Sequence, residues 1–490
     1  MKICFLLHFY QPHNQQFDIL DRVVNESYRP LLKGLLKNKN AKVTINVSGV
    51  LTKLLLENGY KDVIEDIKKL AKQNQIEFTS SSMHHAFLPL LQEEEIKRQI
   101  ELNDDLHKEV FGDLYNPKGF FSPEMAVNPK VLKIVLEMGY KWIAAPQIAK
   151  KENSEVSTKI YKDKDSGLHV FFRNKRVSAL ILSAVIRDVE SLLKETKDLQ
   201  QQGKYWFCVM DAETFGHHRI GHEKVLFDIL NHMNSSFTSE LDINDVEEVS
   251  IRPSTWTNEE QDYWLGDEYT EQNSFILWKD PSNPIHKLQW ELLEYVLEAV
   301  RSQKDKETED YKQARELMDK AIASDQFWWA SAKPWWSLEM IEFGAYSLKE
   351  VLVKLGSSER QLGKADDLYR KIMDQAFEWQ RTGHIRKMHL ENSSTYMKEP
   401  FNKRAPAEWY NQIILEFEDE MKKAAEKRDF EKAIKWRDAI LKLKQGTDIY
   451  DVLHIVNELW TARQIPSVKP YLEHDPKEFS DFAKKNFRQM

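Results

Sequence analysis

At 490 residues the chain is longer than one ordinary core fills, so two or three cooperating domains are expected. Hydrophobic residues make up 41% and charged residues 30%, which excludes a disordered chain, and a net charge of −8 offers no general attraction for nucleic acid or an anionic membrane. Two cysteines, Cys4 and Cys208, are too few for a disulfide framework and lack metal-ligand spacing.

The first apolar run, KICFLLHF, reads as a β-strand. It is too short for a signal-peptide core and is interrupted early by His8. No stretch approaches the length of a membrane span, and cytoplasm is the expected compartment. Residues 19–38 carry helical spacing and AKVTINVS is the next strand. VIEDIKKLAKQNQ then reads as a helix, IEFTSSS as a strand and EEEIKRQIELNDDLHKEVFG as a helix. GFFSPEM opens as a strand, VNPKVLKIVLEMGY is helical, KWIAAP is a strand, and YWFCVMDAE is the clearest late strand. This alternation predicts a parallel sheet with helical crossovers, barrel-like or doubly wound.

From about residue 286 the pattern changes. HKLQWELLEYVLEAVRSQ, YKQARELMDKAIAS and YSLKEVLVKLGSSERQLGKADDLYRKIMDQAFEWQR predict long helices packed as a bundle. ENSSTYMKEPFNKRAPAEW is the candidate linker. The expected division is a barrel over residues 1–285, a helical domain over 286–400 that completes the site, and a C-terminal helical region over 401–490.

His8, Glu77, Glu124 and Asp211 each fall at or just beyond a predicted strand end. In a (β/α) barrel such ends converge on one face, so residues distant in sequence meet in one site. A single strand-end carboxylate reads equally well as a helix cap; four polar strand ends together point to a shared site. Tryptophan is dense between Trp256 and Trp336. Most of these residues read as core, and some as platforms for sugar rings. Glycoside cleavage needs two carboxyl groups flanking one bond, about 5–5.5 Å apart for retention and about 6.5–9.5 Å for inversion.

Five ordered segments carry a specific resemblance. LHFYQPHN is similar to the His-x-His-Gln-Pro pattern of glycoside hydrolase family 57, with His8, Gln11 and Pro12 matching and Tyr10 standing where the family has its second His. NQIEFTSSSMHHAFLPLL resembles the family's Gly-Gln-x-Glu stretch, with Asn74 for Gly, Glu77 for the carboxylate, and His85 in the form seen in amylase-like members. GFFSPEMAV places Glu124 at the nucleophile position, and VMDAETFGHH places Asp211 at the acid/base position with Glu213, His217 and His218 around it. SDQFWWASAKPWW resembles the segment that closes the site, with Trp328 and Trp329 as sugar contacts. HVFFRNKRVSALI and the segment from Ser254 to His286 are supporting stretches of the amylase-like kind.

The resemblance implies an incomplete, seven-stranded (β/α) barrel followed by a helical domain. It also implies a retaining glycosidase or transglycosylase acting on α-linked glucan. Glu124 would attack as the anion, and burial or a nearby anion should keep Asp211 protonated until it acts. His8, Tyr10, Gln11, Glu77 and His85 would orient sugar hydroxyls. His217, His218 and the nearby His222 raise the thought of a metal, but the resemblance implies sugar-binding or supporting roles, with no metal and no cofactor. Hydrolysis, 4-α-glucan transfer and branching share these residues. A metal-dependent polysaccharide deacetylase and a non-catalytic glucan-binding protein are the readings from other classes. Residues 416–446 resemble a UVR motif, with Ala424, Ala425, Phe430, Ala433, Arg437 and Asp438 matching. That resemblance implies a protein partner or self-association, through an apolar face of Phe430, Ala433, Trp436 and Ile440.

Overall fold

The computed structural model describes residues 2–445, apart from 152–158, 183–185, 187, 202–204, 220, 242–245, 258–273, 334 and 393–406. Most of the supporting stretch after Ser254 and of the candidate linker therefore lies outside the described residues. Strand β1 (Lys2–Phe9) is followed in the chain by β2 (Val43–Val47), β3 (Ile76–Ser80), β4 (Gly119–Phe120), β5 (Trp142–Ala145), β6 (Ile160–Asp163) and β7 (His169–Phe172). Then come β8 (Tyr205–Asp211), β9 (Asn234–Ser235) and β10 (Val246–Val249). The ten strands form one sheet in the order β10-β6-β7-β5-β4-β3-β2-β1-β8, with β9 beside β1.

Seven of these strands, from β7 through β5, β4, β3, β2 and β1 to β8, pair in parallel. This run is the incomplete barrel. The seven-strand expectation did not include β6, β9 and β10, which are at most four residues long and too short to leave a periodic signal. At the seam between β7 and β8, single bonds replace a ladder: Asn174 N–H donates to the Phe207 carbonyl (2.7 Å) and Arg173 Nε to the Val209 carbonyl (3.0 Å).

Both faces of the parallel run are buried, which explains why its strands read as nearly unbroken apolar runs. In β1, Cys4 and Leu6 point inward and pack with Phe207, Val209, Phe171 and Trp142. Ile3, Phe5, Leu7 and Phe9 point outward against Leu31, Leu32, Ile64 and Ile67 of the surrounding helices. Both cysteines are free and buried, as small core residues.

Helices Pro284–Arg301, Glu309–Ala321, Leu338–Lys354 and Glu359–Arg381 share a core with Phe120, Ile143, Val170 and Phe172, so they pack directly on one side of the barrel. The predicted helix over 346–381 breaks at Gly356 (φ +63°), and Ser358 with Gln361 forms a capping box that starts the next segment. Arg315 pairs with Glu95 and with Asp319 (2.8 Å), and Arg98 reaches Asp319 at 2.6 Å. All three partners in the first pairings are buried. Breaking such a buried network by removing one partner costs about 3–5 kcal/mol.

Helices Ala407–Glu426 and Phe430–Lys444 form an antiparallel hairpin through Phe417 and Trp436, 4.9 Å between ring centroids. Here the expected outer face is corrected. Trp436 and Ile440 are buried inside the hairpin, because the 3.6-residue spacing puts them with Ala439 and Leu443 on the stripe that meets the first helix. The exposed stripe is Phe430, Ile434 and Leu441, with exposures of 62%, 42% and 52%.

Burial also sets a pH dependence. Desolvation lowers the imidazoles of His8 and His286 to about 4 and those of His84 and His107 to about 3. The unfolded chain binds protons at these residues near pH 6.5 while the native state does not. Stability is therefore full above about pH 6.5 and is lost as pH falls toward 4. We expect the thermal midpoint to drop steeply from pH 7 to pH 5; a flat profile across that window contradicts this reading of the buried histidines.

Candidate active site

The C-terminal ends of the parallel strands lie on one rim, and the polar strand ends gather there. His8, one residue from the end of β1, stands in register with Asn46 on β2 and Asp211 on β8. Its Nδ1 meets Asn46 Oδ1 at 2.7 Å, whereas its buried Nε2 has no partner among the described residues. A buried, unpaired ring nitrogen at a barrel rim is chemically suited to a ligand hydroxyl.

Around His8 the rim is aromatic. Its ring lies 4.6 Å from Phe121, 5.4 Å from His85 and 6.1 Å from Trp256. Tyr10 stacks on His85 at 3.8 Å, and its hydroxyl donates to Asp325 Oδ2 at 2.6 Å. His85 Nδ1 meets Ser324 Oγ at 3.1 Å. Burial holds His85 well below the ordinary imidazole range and raises the Asp325 carboxyl. Thus the helical segment enters the site through Ser324 and Asp325. Trp328 and Trp329 follow within one turn, with Trp328 stacked on Trp335 at 4.5 Å and edge-on to Trp329 at 5.0 Å.

Glu124 is presented in an unusual way. It lies four residues past β4 in the turn Pro123–Met125, at φ +58°, and Met125 follows at φ +47°. Non-glycine residues in the left-handed region store strain and cluster at functional sites; His85, at φ +55°, is another. The Glu124 carboxylate accepts from Trp256 Nε1 at 2.9 Å and from Thr257 Oγ1 at 3.4 Å. Charge on Glu124 contributes to raising the Tyr10 phenol, after burial and Asp325, so the two lie within electrostatic reach. Asp211 closes β8 and is partly exposed.

Behind Asp211 is a second polar group. Buried Glu213 accepts from Tyr28 Oη and from Gln11 Nε2 (3.2 Å), and burial raises its carboxyl. His217 leaves this group and pairs with Glu26 at 2.6 Å, and His218 is exposed beside it. Gly216 makes the turn possible: its φ is +127°, and a Cβ there would lie 1.9 Å from the Glu26 carbonyl oxygen.

One expected site residue is elsewhere. Glu77 is the second residue of β3, opposite Thr44, and not at a strand end. It faces inward two residues below the Asn46 level, which is about 6.6 Å along a strand. There it accepts from Thr44 Oγ1 (2.6 Å), Thr238 N–H (2.8 Å) and Ser239, tying the lower end of the barrel to the turn Thr238–Glu240. The physical reason is register: Glu77 is the second residue of its strand and pairs with Thr44, so its carboxylate falls one layer under the rim.

Four contributors escaped the sequence reading: Asn46, Tyr28, Trp256 and Asp325. Asn46 and Asp325 had a signal, a polar residue ending an apolar strand and a carboxylate opening the DQFWW run. Tyr28 had none, since it sits on the buried side of a helical turn. No group of three or more His, Cys, Asp or Glu side chains among the described residues is arranged to hold a metal ion.

An incomplete parallel barrel with carboxyls and aromatic rings on its rim, capped from the helical part, defines the architectural class. Residues 6–248 of the chain match the model of glycosyl hydrolase family 57, and residues 411–446 match the UvrB/uvrC motif. In sequence the chain is 27% identical over 137 residues to alpha-amylase 1 of Dictyoglomus thermophilum, covering 28% of this chain and 20% of that protein. In structure it is similar to the 4-alpha-glucanotransferase from Thermococcus litoralis (TM-score 0.57, 21% identity, 72% of this chain and 58% of that one). It is likewise similar to the GH57-type branching enzyme from Pyrococcus horikoshii (TM-score 0.54, 16% identity, 75% and 94%). The aligned part thus spans about a fifth of the amylase.

Proposed function

We propose that the chain is an α-glucan-active enzyme that cleaves or transfers glycosyl units with retention. Glu124 attacks the anomeric carbon, and Asp211 protonates the departing oxygen and then deprotonates the incoming water or sugar hydroxyl. The observation that carries this reading is the presentation of Glu124. It is held in a left-handed turn at the barrel rim with its carboxylate accepting from Trp256 and Thr257, an environment that favours the anion. The names of the similar proteins (alpha-amylase, 4-alpha-glucanotransferase, branching enzyme) supply the substrate class.

His8, Tyr10, Gln11 and His85 take the sugar's hydroxyls at the reacting subsite. Glu213 positions the segment that carries Asp211. His217 and His218 border the site, and Trp328 and Trp329 offer ring faces to neighbouring sugars. Residues 1–285 act as the barrel, 286–400 as the helical part that completes the site, and 401–490 as a C-terminal region. No described helix is long and apolar enough to cross a membrane, and we assign the chain to the cytoplasm. Incubation with maltooligosaccharides tests the substrate class: shorter products, a ladder of longer and shorter chains, or new α-1,6 branches each support it. An absence of any product from α-glucans contradicts it.

The hairpin acts as an interaction module through its exposed Phe430, Ile434 and Leu441, because an apolar stripe of this kind is seldom left bare. Its partner is another copy: the first helix is rich in Glu and Asp and the second in Lys and Arg, so two hairpins are charge-complementary. Replacing Phe430 and Ile434 by Ser should lower the mass in solution by light scattering and leave activity in place. An unchanged mass contradicts self-association.

A further inference from the structure

The seam of the barrel holds a cation that the mechanism above does not use. Arg173 follows β7 directly and is 1% exposed. Its backbone N–H donates to the Ala145 carbonyl at 2.8 Å and extends the β5–β7 pairing. Its Nε donates to the Val209 carbonyl at 3.0 Å, two residues before Asp211. On the other side its guanidinium carbon lies 6.0 Å from the ring centroid of Trp256, whose indole N–H donates to Glu124. One buried guanidinium therefore bonds to the strand end that carries Asp211 and lies over the ring that holds Glu124.

A buried charge is kept where its field and its hydrogen bonds are used. The field of Arg173 does reach β8, where it works against the rise of the buried Cys208 thiol. We propose that Arg173 is a positioning residue of the carboxyl pair: it fixes the ends that present Glu124 and Asp211 and supplies the positive potential that keeps Glu124 ionised. This rests on the roles assigned to Glu124 and Asp211 above. Its chemistry is the ordinary influence of a nearby cation on a carboxylate, strengthened because Arg173 is buried.

The test compares Arg173→Met, which keeps length without charge, with Arg173→Lys, which keeps charge but loses the planar fork. The readouts are kcat and KM on maltoheptaose and the acidic limb of kcat/KM against pH. For Arg173→Met we expect kcat to fall about 100-fold with KM little changed, and the acidic limb to move up by about one pH unit, the low end of the effect of one nearby charge. For Arg173→Lys the limb stays at its wild-type pH while kcat falls less. A purely structural brace lowers the thermal midpoint but leaves the limb in place in both variants, and that result overturns the proposal. If Arg173→Met does not fold, Arg173→Gln, which removes the charge but keeps side-chain donors, takes its place: a limb moved up by about one pH unit supports the proposal, and an unmoved limb overturns it. Turnover that vanishes in Glu124→Gln yet is indifferent to Arg173→Met removes this inference alone. Turnover that survives Glu124→Gln removes it together with the reading it rests on.

Discussion

In Glu124→Gln, α-glucan turnover falls by about 10⁴–10⁶-fold, the scale on which removal of a nucleophile acts in a covalent mechanism. Gln keeps the side-chain shape, and its amide oxygen can still accept from Trp256 Nε1. The strained turn at Glu124 is held by the backbone bond from Ala126 N–H to the Pro123 carbonyl (3.0 Å), which the substitution does not touch. The thermal midpoint should therefore stay close to wild type. In Glu124→Gly the left-handed conformation becomes relaxed, and added azide should restore part of the turnover of an activated glycosyl substrate by occupying the vacated space. Near-wild-type activity in Glu124→Gln removes this residue from the mechanism.

The effect of Asp211→Ala depends on the leaving group. General acid/base assistance is worth about 10²–10⁴-fold, and natural glucans, whose departing oxygen needs a proton, lose all of it. A glycosyl fluoride needs little protonation, so its first step proceeds and the glycosyl-enzyme accumulates. Steady-state rates on maltoheptaose and on α-maltosyl fluoride measure the difference. Equal losses on the two substrates show that Asp211 has some other role.

The barrel was legible because its strands are buried on both faces and its crossover helices on one, so the period of the apolar pattern changes at each junction. The short strands were not legible: β9 has two residues, and β10, VEEV, carries more charge than apolar surface. The break at Gly356 was readable in principle from the following Ser-Ser-Glu, but the apolar period resumes after it and hides the turn.

Within the site, His8, Tyr10, Gln11, His85, Glu124 and Asp211 could be named because each stands in or beside a distinctive local string. Glu77 shows what a string does not carry. Its motif is present, yet the height of a side chain inside a barrel depends on strand register, which is a relation between β2 and β3 and not a property of either. Asp325 shows the converse. Its link to Tyr10 spans 315 positions of sequence, and only the fold reveals that a Tyr at this rim is matched by an acceptor. Trp256 went unassigned for the same reason, since its bond to Glu124 crosses 132 positions.

The central claim is a covalent glycosyl-enzyme on Glu124. Its most direct test is intact-mass and peptide-mapping analysis of Asp211→Ala after brief incubation with α-maltosyl fluoride. The mechanism predicts a mass increase of one maltosyl group, confined to the peptide that contains Glu124 and absent when Glu124 is also changed to Gln. An adduct on a different residue, or turnover of the fluoride with no adduct and with inverted product configuration, contradicts it.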